Sequence, residues 1–333
     1  MRLANYTDDE ALLAESQKTL ARAQFIVPQS QDETLWSKCQ LYLALAEIAQ
    51  ASKAFDRATF QQAWDKLDGL KALYDPQTRR PMYNEISEFQ AELDVLMWNL
   101  DCNTLRMDRI LKALKAMRAV PGFMQKGLTL VQVDELLGKA SNLKGMREKN
   151  QKLLRQGIAY FEEALATASQ GNMDQYICSL KSELASAYAN LLLLTPDSDT
   201  TSKAKALLLT LEKDCMTSPI VANEANHKLC AAKLERALAK VGKDPTPIQQ
   251  GRPLSEAGLK LLAEHHYVFW AAVAQEELGD ENQLLALLTG DPTAAKNAVQ
   301  EYGEADKIYL AMGLCWEKDT QEKLSKARML AGK

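Results

Sequence analysis

Apolar residues recur along most of the chain at three- and four-residue spacing. In 33–54, for example, Trp36, Cys39, Leu43 and Ala46 fall on one helical face. Such a face must be buried against a neighbour. Strict alternation of β-branched residues is absent, so no strand is predicted. Ala, Leu, Lys, Glu and Gln, all good helix formers, fill the intervals. The spacing predicts helices over 8–27, 33–54, 57–74, 83–103, 104–118, 129–149, 150–170, 174–194, 200–215, 219–241, 254–278, 281–289, 293–302, 303–317 and 320–331. Asp32-Glu33, Asp56 and Ser255 stand where caps are needed. The prolines, at 28, 76, 81, 121, 196, 219, 245, 247, 253 and 292, read as junctions, with none inside a strong helical pattern. Helices of this length with short connectors suggest antiparallel hairpins. Stacked in one direction, such hairpins form a solenoid with a repeat of roughly 34–45 residues.

Several segments carry small and large residues in the order that close helix pairs need. The clearest is Tyr309-x-x-Met312-Gly313-x-x-Trp316, followed by Ser325, Met329 and Gly332. It resembles the tetratricopeptide repeat, whose first helix reads W-x2-L-G-x2-Y. Leu278-Gly279-Asp280, after Ala271 and Ala272, is similar to a first helix ending in that family's G-D turn. Tyr160–Leu165, Leu184-Ala185-x-x-Tyr188 and Lys71–Pro76 echo other parts of the repeat. The resemblance covers about half the chain, with irregular spacing. It implies an all-α, right-handed superhelix of antiparallel helix pairs, a TPR-like α-solenoid of about six or seven hairpins. It also implies a concave groove that holds an extended or helical segment of a partner. On this reading residues 1–333 form a single helical-repeat domain. The proline-rich stretch Lys243–Arg252 reads as an inter-hairpin linker, with a subdomain break near 243–253.

The composition fits an ordinary globular protein: 333 residues, 47% hydrophobic, 25% charged, with only 15 Gly and 10 Pro. Its formal net charge of −4 conceals a segregation. Residues 1–103 carry net −6, residues 104–155 net +8 and residues 156–333 net −6. In the basic segment Arg106, Arg109, Lys112, Lys115 and Arg118 recur every third position. Each such step turns a helix by about 300°, so they spiral around its surface. Three uses compete for this charge. Acidic arms of the same fold neutralise it, an acidic partner segment docks on it, or nucleic acid or an anionic membrane binds it.

The search for chemistry is mostly negative. The histidines are His227, His265 and His266. Adjacent His265 and His266 point about 100° apart on a helix and cannot easily share an ion. His227 and Cys230, three apart, can touch but have no supporting pattern. There is no HExxH, no GxxxxGK[ST], no GxSxG and no CxxC. No catalytic residue, metal ligand or cofactor is therefore assigned. The six scattered cysteines read as free, mostly buried thiols of an intracellular protein, cytoplasmic or nuclear. The N-terminal residues lack the apolar core of a secretory signal, and no apolar run is long enough to span a membrane. The acidic loop Thr195–Ser202 is a candidate phosphorylation segment.

Taken together, the residues and the resemblance lead to an expected function. The chain is a non-catalytic scaffold or adaptor subunit that holds an acidic partner segment in its groove. Arg106, Arg109, Lys112, Lys115 and Arg118 steer the partner, and Tyr267 and Trp270 anchor it. The alternative is a nucleic-acid-associated helical protein that uses residues 104–155. Oligomeric state is left open.

Overall fold

A computed structural model of the chain describes residues 10–29, 31–75, 77, 80–120 and 127–332. The expectation about a secretory signal therefore lies outside the described residues. Among these residues the chain forms fourteen helices and no strand. They are α1 (Glu10–Ile26), α2 (Glu33–Ala54), α3 (Arg57–Ala72), α4 (Arg80–Asp101), α5 (Thr104–Arg118), α6 (Gly127–Arg147) and α7 (Gln151–Gln170). They continue as α8 (Asp174–Leu194), α9 (Ser198–Asp214), α10 (Val221–Gly242), α11 (Thr246–Glu264), α12 (Val268–Thr289), α13 (Pro292–Met312) and α14 (Glu317–Ala331). None is long and apolar enough to cross a membrane.

Local chemistry explains six of the starts. Asp32, Asp56, Asn103, Asn150, Asp197 and Asp291 each accept a backbone N–H from the first turn that follows. Ser255 does not cap. It lies inside α11, fully buried, where its hydroxyl donates to Glu281 across the α11–α12 contact at 2.5 Å. The expected linker at 243–253 is also mostly helix. Pro245 sits at the N-cap of α11, Pro247 in its first turn, and Pro253 within it. Pro253 costs one backbone hydrogen bond. The packing of α11 on α10 is close enough that a Cβ on Gly251 would stand 2.9 Å from Glu235 Cβ. That contact holds the helix through its proline.

The expected helix 254–278 is instead broken at His265-His266-Tyr267, where His266 takes φ 62°. No Gly or Pro announces this turn. Conversely, α12 runs unbroken through Gly279-Asp280, and α13 through Gly303. Leu278-Gly279-Asp280 thus ends no helix. Gly279 is where α12 meets α13, and a Cβ there would stand 2.7 Å from the Tyr302 ring. The segment Tyr309–Trp316 likewise ends α13, turns at Gly313 (φ 62°) and reaches the N-cap of α14 at Trp316.

The helices sort into two rows by what they touch. In backbone packing every odd-numbered helix from α3 to α13 lies against its two sequence neighbours only. The even-numbered helices pack in addition on the next even one, from α2 through α14, and α12 also returns to α2. Burial follows this division. On α3 the buried set is a single stripe, Phe60, Ala63, Leu67 and Leu70. On α4 every residue from Ile86 to Leu100 is buried except Glu92, and on α10 every residue from Cys230 to Ala239 except Lys233.

The last helices meet the first along a seam. Phe55, at the end of α2, stacks on Phe269 of α12 with ring centroids 3.9 Å apart. Trp98 of α4 meets Trp316 edge-on at 5.3 Å. Arg57 donates to the carbonyls of both Leu100 and Gly313 at 3.2 Å. Cys102 and Cys315 form a disulfide here, and Cys178 and Cys215 form a second between α8 and the end of α9. The expectation of six free thiols is corrected to two, Cys39 and Cys230, both buried. Helical context made the cysteines look like small core residues, and pairing at a distance of 213 positions leaves no trace in local spacing.

Gly279→Ala is expected to destabilise the chain by about 1–3 kcal/mol through the clash with Tyr302. Gly303→Ala, with open space around it, is expected to be neutral or stabilising. Urea unfolding of the two variants checks this.

Candidate binding surface

The basic segment is not one patch. Arg106 turns inward from α5, 8% exposed, with Nη1 on Asp94 at 2.5 Å and Nη2 on Asp101 at 2.9 Å. Burial pushes the Asp94 carboxyl up, against the opposing pull of Arg106. Arg118 holds Asp134 through Nε at 2.8 Å, pairs with Glu163, and lies over the Tyr160 ring. Farther along, Lys139 pairs with Glu135 and Glu183, and Lys144 with Asp108 and Glu148. Arg147 pairs with Asp319 and Arg155 with Asp197. Much of the positive charge is therefore balanced within the molecule.

Five cations of the segment stay outside ion pairs among the described residues: Lys149 and Lys152, exposed around the turn from α6 to α7, and three on α5. Arg109, Lys112 and Lys115 are exposed on α5, and Arg109 rests 5.9 Å over the Trp64 ring. Lys112 and Lys115 have no ion pair among the described residues. One stripe of α5, Met107, Ile110, Leu111, Leu114 and Met117, is buried against α4 and α6. The three-residue spacing then leaves these cations on the outer side. They are not brought near the expected aromatic anchors. Tyr267 is 3% exposed at the start of α12, and Trp270 packs half-buried against Phe269 and Phe55. His265 and His266 are exposed in the turn. His227 is buried with Nδ1 2.7 Å from Ser182 Oγ, and burial pushes its pKa down to about 4. No group of His, Cys, Asp and Glu among the described residues could hold a metal ion. Within the expected phosphorylation segment, Asp197 caps α9 and Thr200 is buried beneath it, while Ser198 is exposed.

A second set of charges went unnoticed in the sequence. The residues that interrupt burial on successive even helices are polar and half-buried. Glu135 and Lys139 stand on α6, Glu183 and Ser186 on α8, Lys233 on α10, and Glu276, Glu277 and Asp280 on α12. They form a continuous strip. Lys139 reaches Glu183 at 3.5 Å, and Lys233 donates to Ser186 at 3.4 Å. Arg236 grips Glu277 through two nitrogens at 2.6 and 2.9 Å and Asp280 at 3.1 Å. Lys323 of α14 closes the strip on Glu276 and Asp280, at 2.8 and 2.9 Å. Tyr302 donates to Asp280 and Tyr309 to Glu276. Burial alone would push Asp280 up, but Lys323 and Arg236 hold it down at about 2. Burial pulls Lys233 down, opposed by Glu277. The sequence does show Lys233-x-x-Arg236 in α10 and Glu277-x-x-Asp280 in α12. It does not show that α10 and α12 face each other.

Beside this strip Glu281 is 1% exposed. Burial, reinforced by Glu277, pushes its pKa up to about 8. Between its ordinary value of 4.5 and 8 the folded state holds a proton that the unfolded chain has released. The contribution of this carboxyl to stability is therefore lost as pH rises through that window. Glu281→Gln is expected to stabilise the chain by up to about 4 kcal/mol at pH 8 and by little at pH 4.5. Thermal unfolding at the two pH values checks the difference between variant and wild type.

Neither a protein-family model nor any curated protein matches the chain.

Proposed function

We propose that the chain is a non-catalytic interaction scaffold, a TPR-like α-solenoid with right-handed stacking of its seven helix pairs, that binds an acidic segment of a partner protein. The two-row packing supports the architecture, because hairpins stacked in one direction place alternate helices in alternate rows. One observation carries the binding assignment. Arg109, Lys112 and Lys115 remain exposed on α5 while Arg106, Arg118, Lys139, Lys144, Arg147 and Arg155 are held by carboxylates of the fold. A row of exposed cations beside Trp64 and exposed Leu105 suits a helical or extended acidic segment. The inner strip suits it less, because its own charges already satisfy one another. The docking face is thus the outer side of α5, not the inner groove that the family resemblance implies.

The same internal pairing weakens the nucleic-acid alternative. Binding to phosphates scales with the number of cations that displace counterions, and six cations of the segment are already held by carboxylates of the fold. Affinity capture with the full chain at moderate salt, with and without nuclease, separates the two readings. The expected result is a stoichiometric protein that survives nuclease and is lost with the triple variant R109Q/K112Q/K115Q. Capture that disappears with nuclease, or that the triple variant leaves intact, overturns the proposal.

A further inference from the structure

The disulfide between Cys102 and Cys315 joins positions 213 apart, across the seam where the last helices meet the first. We propose that it is a redox latch. Oxidised, it holds the α12–α14 end against α2–α4; reduced, it lets the seam open.

The seam is narrow. Among the described helices α2 and α12 are the one pair that packs across it, and the other contacts come from turns and helix ends. Cys102 occupies the single-turn junction between α4 and α5, in the left-handed region at φ 50°. Its partner follows Gly313-Leu314 in the turn from α13 to α14. The Cys315 N–H donates to Leu100 O at 3.3 Å, and Arg57 reaches both sides of the junction. A covalent link at this point holds both ends of the chain in register, and the aromatic pairs Phe55–Phe269 and Trp98–Trp316 close beside it. Without the link the seam is left to non-covalent contacts: the α2–α12 packing, those aromatic pairs, Arg57, the Cys315 N–H and the ion pair Arg147–Asp319.

The bond is also within reach. Cys102 and Cys315 are both half-buried, whereas free Cys39 and Cys230 are buried. Reactivity in thiol–disulfide exchange follows access as well as thiolate character. Reduction needs a dithiol. Its thiolate attacks one sulfur of the pair, the Cys102–Cys315 bond breaks and a mixed disulfide forms. The second thiol of the reductant then displaces the protein sulfur. Two electrons and two protons end on Cys102 and Cys315, and the reductant leaves as a disulfide. The second bond, Cys178–Cys215, spans 37 positions within the contact between α8 and α9. It lies away from the seam, so it can be removed to leave the seam bond as the one that reduction addresses.

The test uses the full chain carrying C178S/C215S, in which the seam bond is the remaining disulfide. Peptide mapping without reductant is expected to recover Cys102 linked to Cys315. Hydrogen–deuterium exchange is then compared before and after dithiothreitol, and again after reoxidation. A cross-link that closes so long a loop restrains the open state strongly, so reduction is expected to speed exchange at 266–272, 98–106 and 311–320 by about tenfold or more. Helices α8 to α10 should stay protected, and reoxidation should restore the seam. Trp98 and Trp316 emission should shift to the red in the reduced form. Two results overturn the proposal: Cys102 and Cys315 recovered as separate thiols, or seam exchange that reduction leaves unchanged. Because the readout is a reversible change in one chain, the C102S/C315S variant serves only as confirmation. Its failure to fold would not mask the outcome.

Discussion

Burial on more than one side of the even-numbered helices is the constraint on which the rest of this structure depends. A helix that packs on both sequence neighbours and also on the next even helix has little face left for water. It therefore needs small residues where backbones approach, and the chain supplies them. Ala44, Ala46, Ala49 and Ala51 are buried on α2, Ala185, Ala187 and Ala189 on α8, and Ala231, Ala232, Ala237 and Ala239 on α10. The odd helices carry a single apolar stripe and are covered on one side only, as α7 shows with Leu154, Ile158, Phe161 and Ala164.

Such packing leaves no cheap place for a charge. Moving an ion from water into the protein costs several kcal/mol unless partners are in place. The ionised groups that do enter the even row are matched across helices, as Arg236 is by Glu277 and Asp280, and Lys323 by Glu276 and Asp280. At Glu281 burial and the nearby Glu277 outweigh the pull of Arg236 and Arg252, and its pKa is pushed up to about 8. Part of the net +8 of the central segment is balanced in the same way, by carboxylates on α4, α6, α7, α8 and α14 and at the N-cap of α9. Charge that looks segregated along the chain is thus interleaved in space. Arg109, Lys112 and Lys115, left exposed together on the outer side of α5, gain meaning from that contrast.

The seam adds a long-range element to an otherwise local architecture. Most helix contacts join sequence neighbours or next-but-one helices, which bring little loop-closure cost. The meeting of α12 with α2 is the exception, and it is there that the aromatic pairs, Arg57 and one disulfide gather.

Helical periodicity, good helix formers and the aspartate and asparagine caps determine an all-α chain and most of its helix ends, because these signals act within a few residues. Asp32 and Asp56 do what their positions announce. Where local signals failed, a neighbour had overridden them. Pro253 and Gly279 are carried inside helices by contacts with α10 and α13, and the turn at His266 has no Gly or Pro to mark it. The sequence also marked the basic residues of α5 but not which of them point outward, because that depends on where α4 and α6 lie. Only the tertiary structure decided that Arg106 and Arg118 are internal and Lys112 and Lys115 external. It alone decided that Lys233, Arg236 and Asp280 share one strip, and that Cys102 meets Cys315. Pairing between residues tens to hundreds of positions apart is a property of the packed chain, and no short-range pattern encodes it.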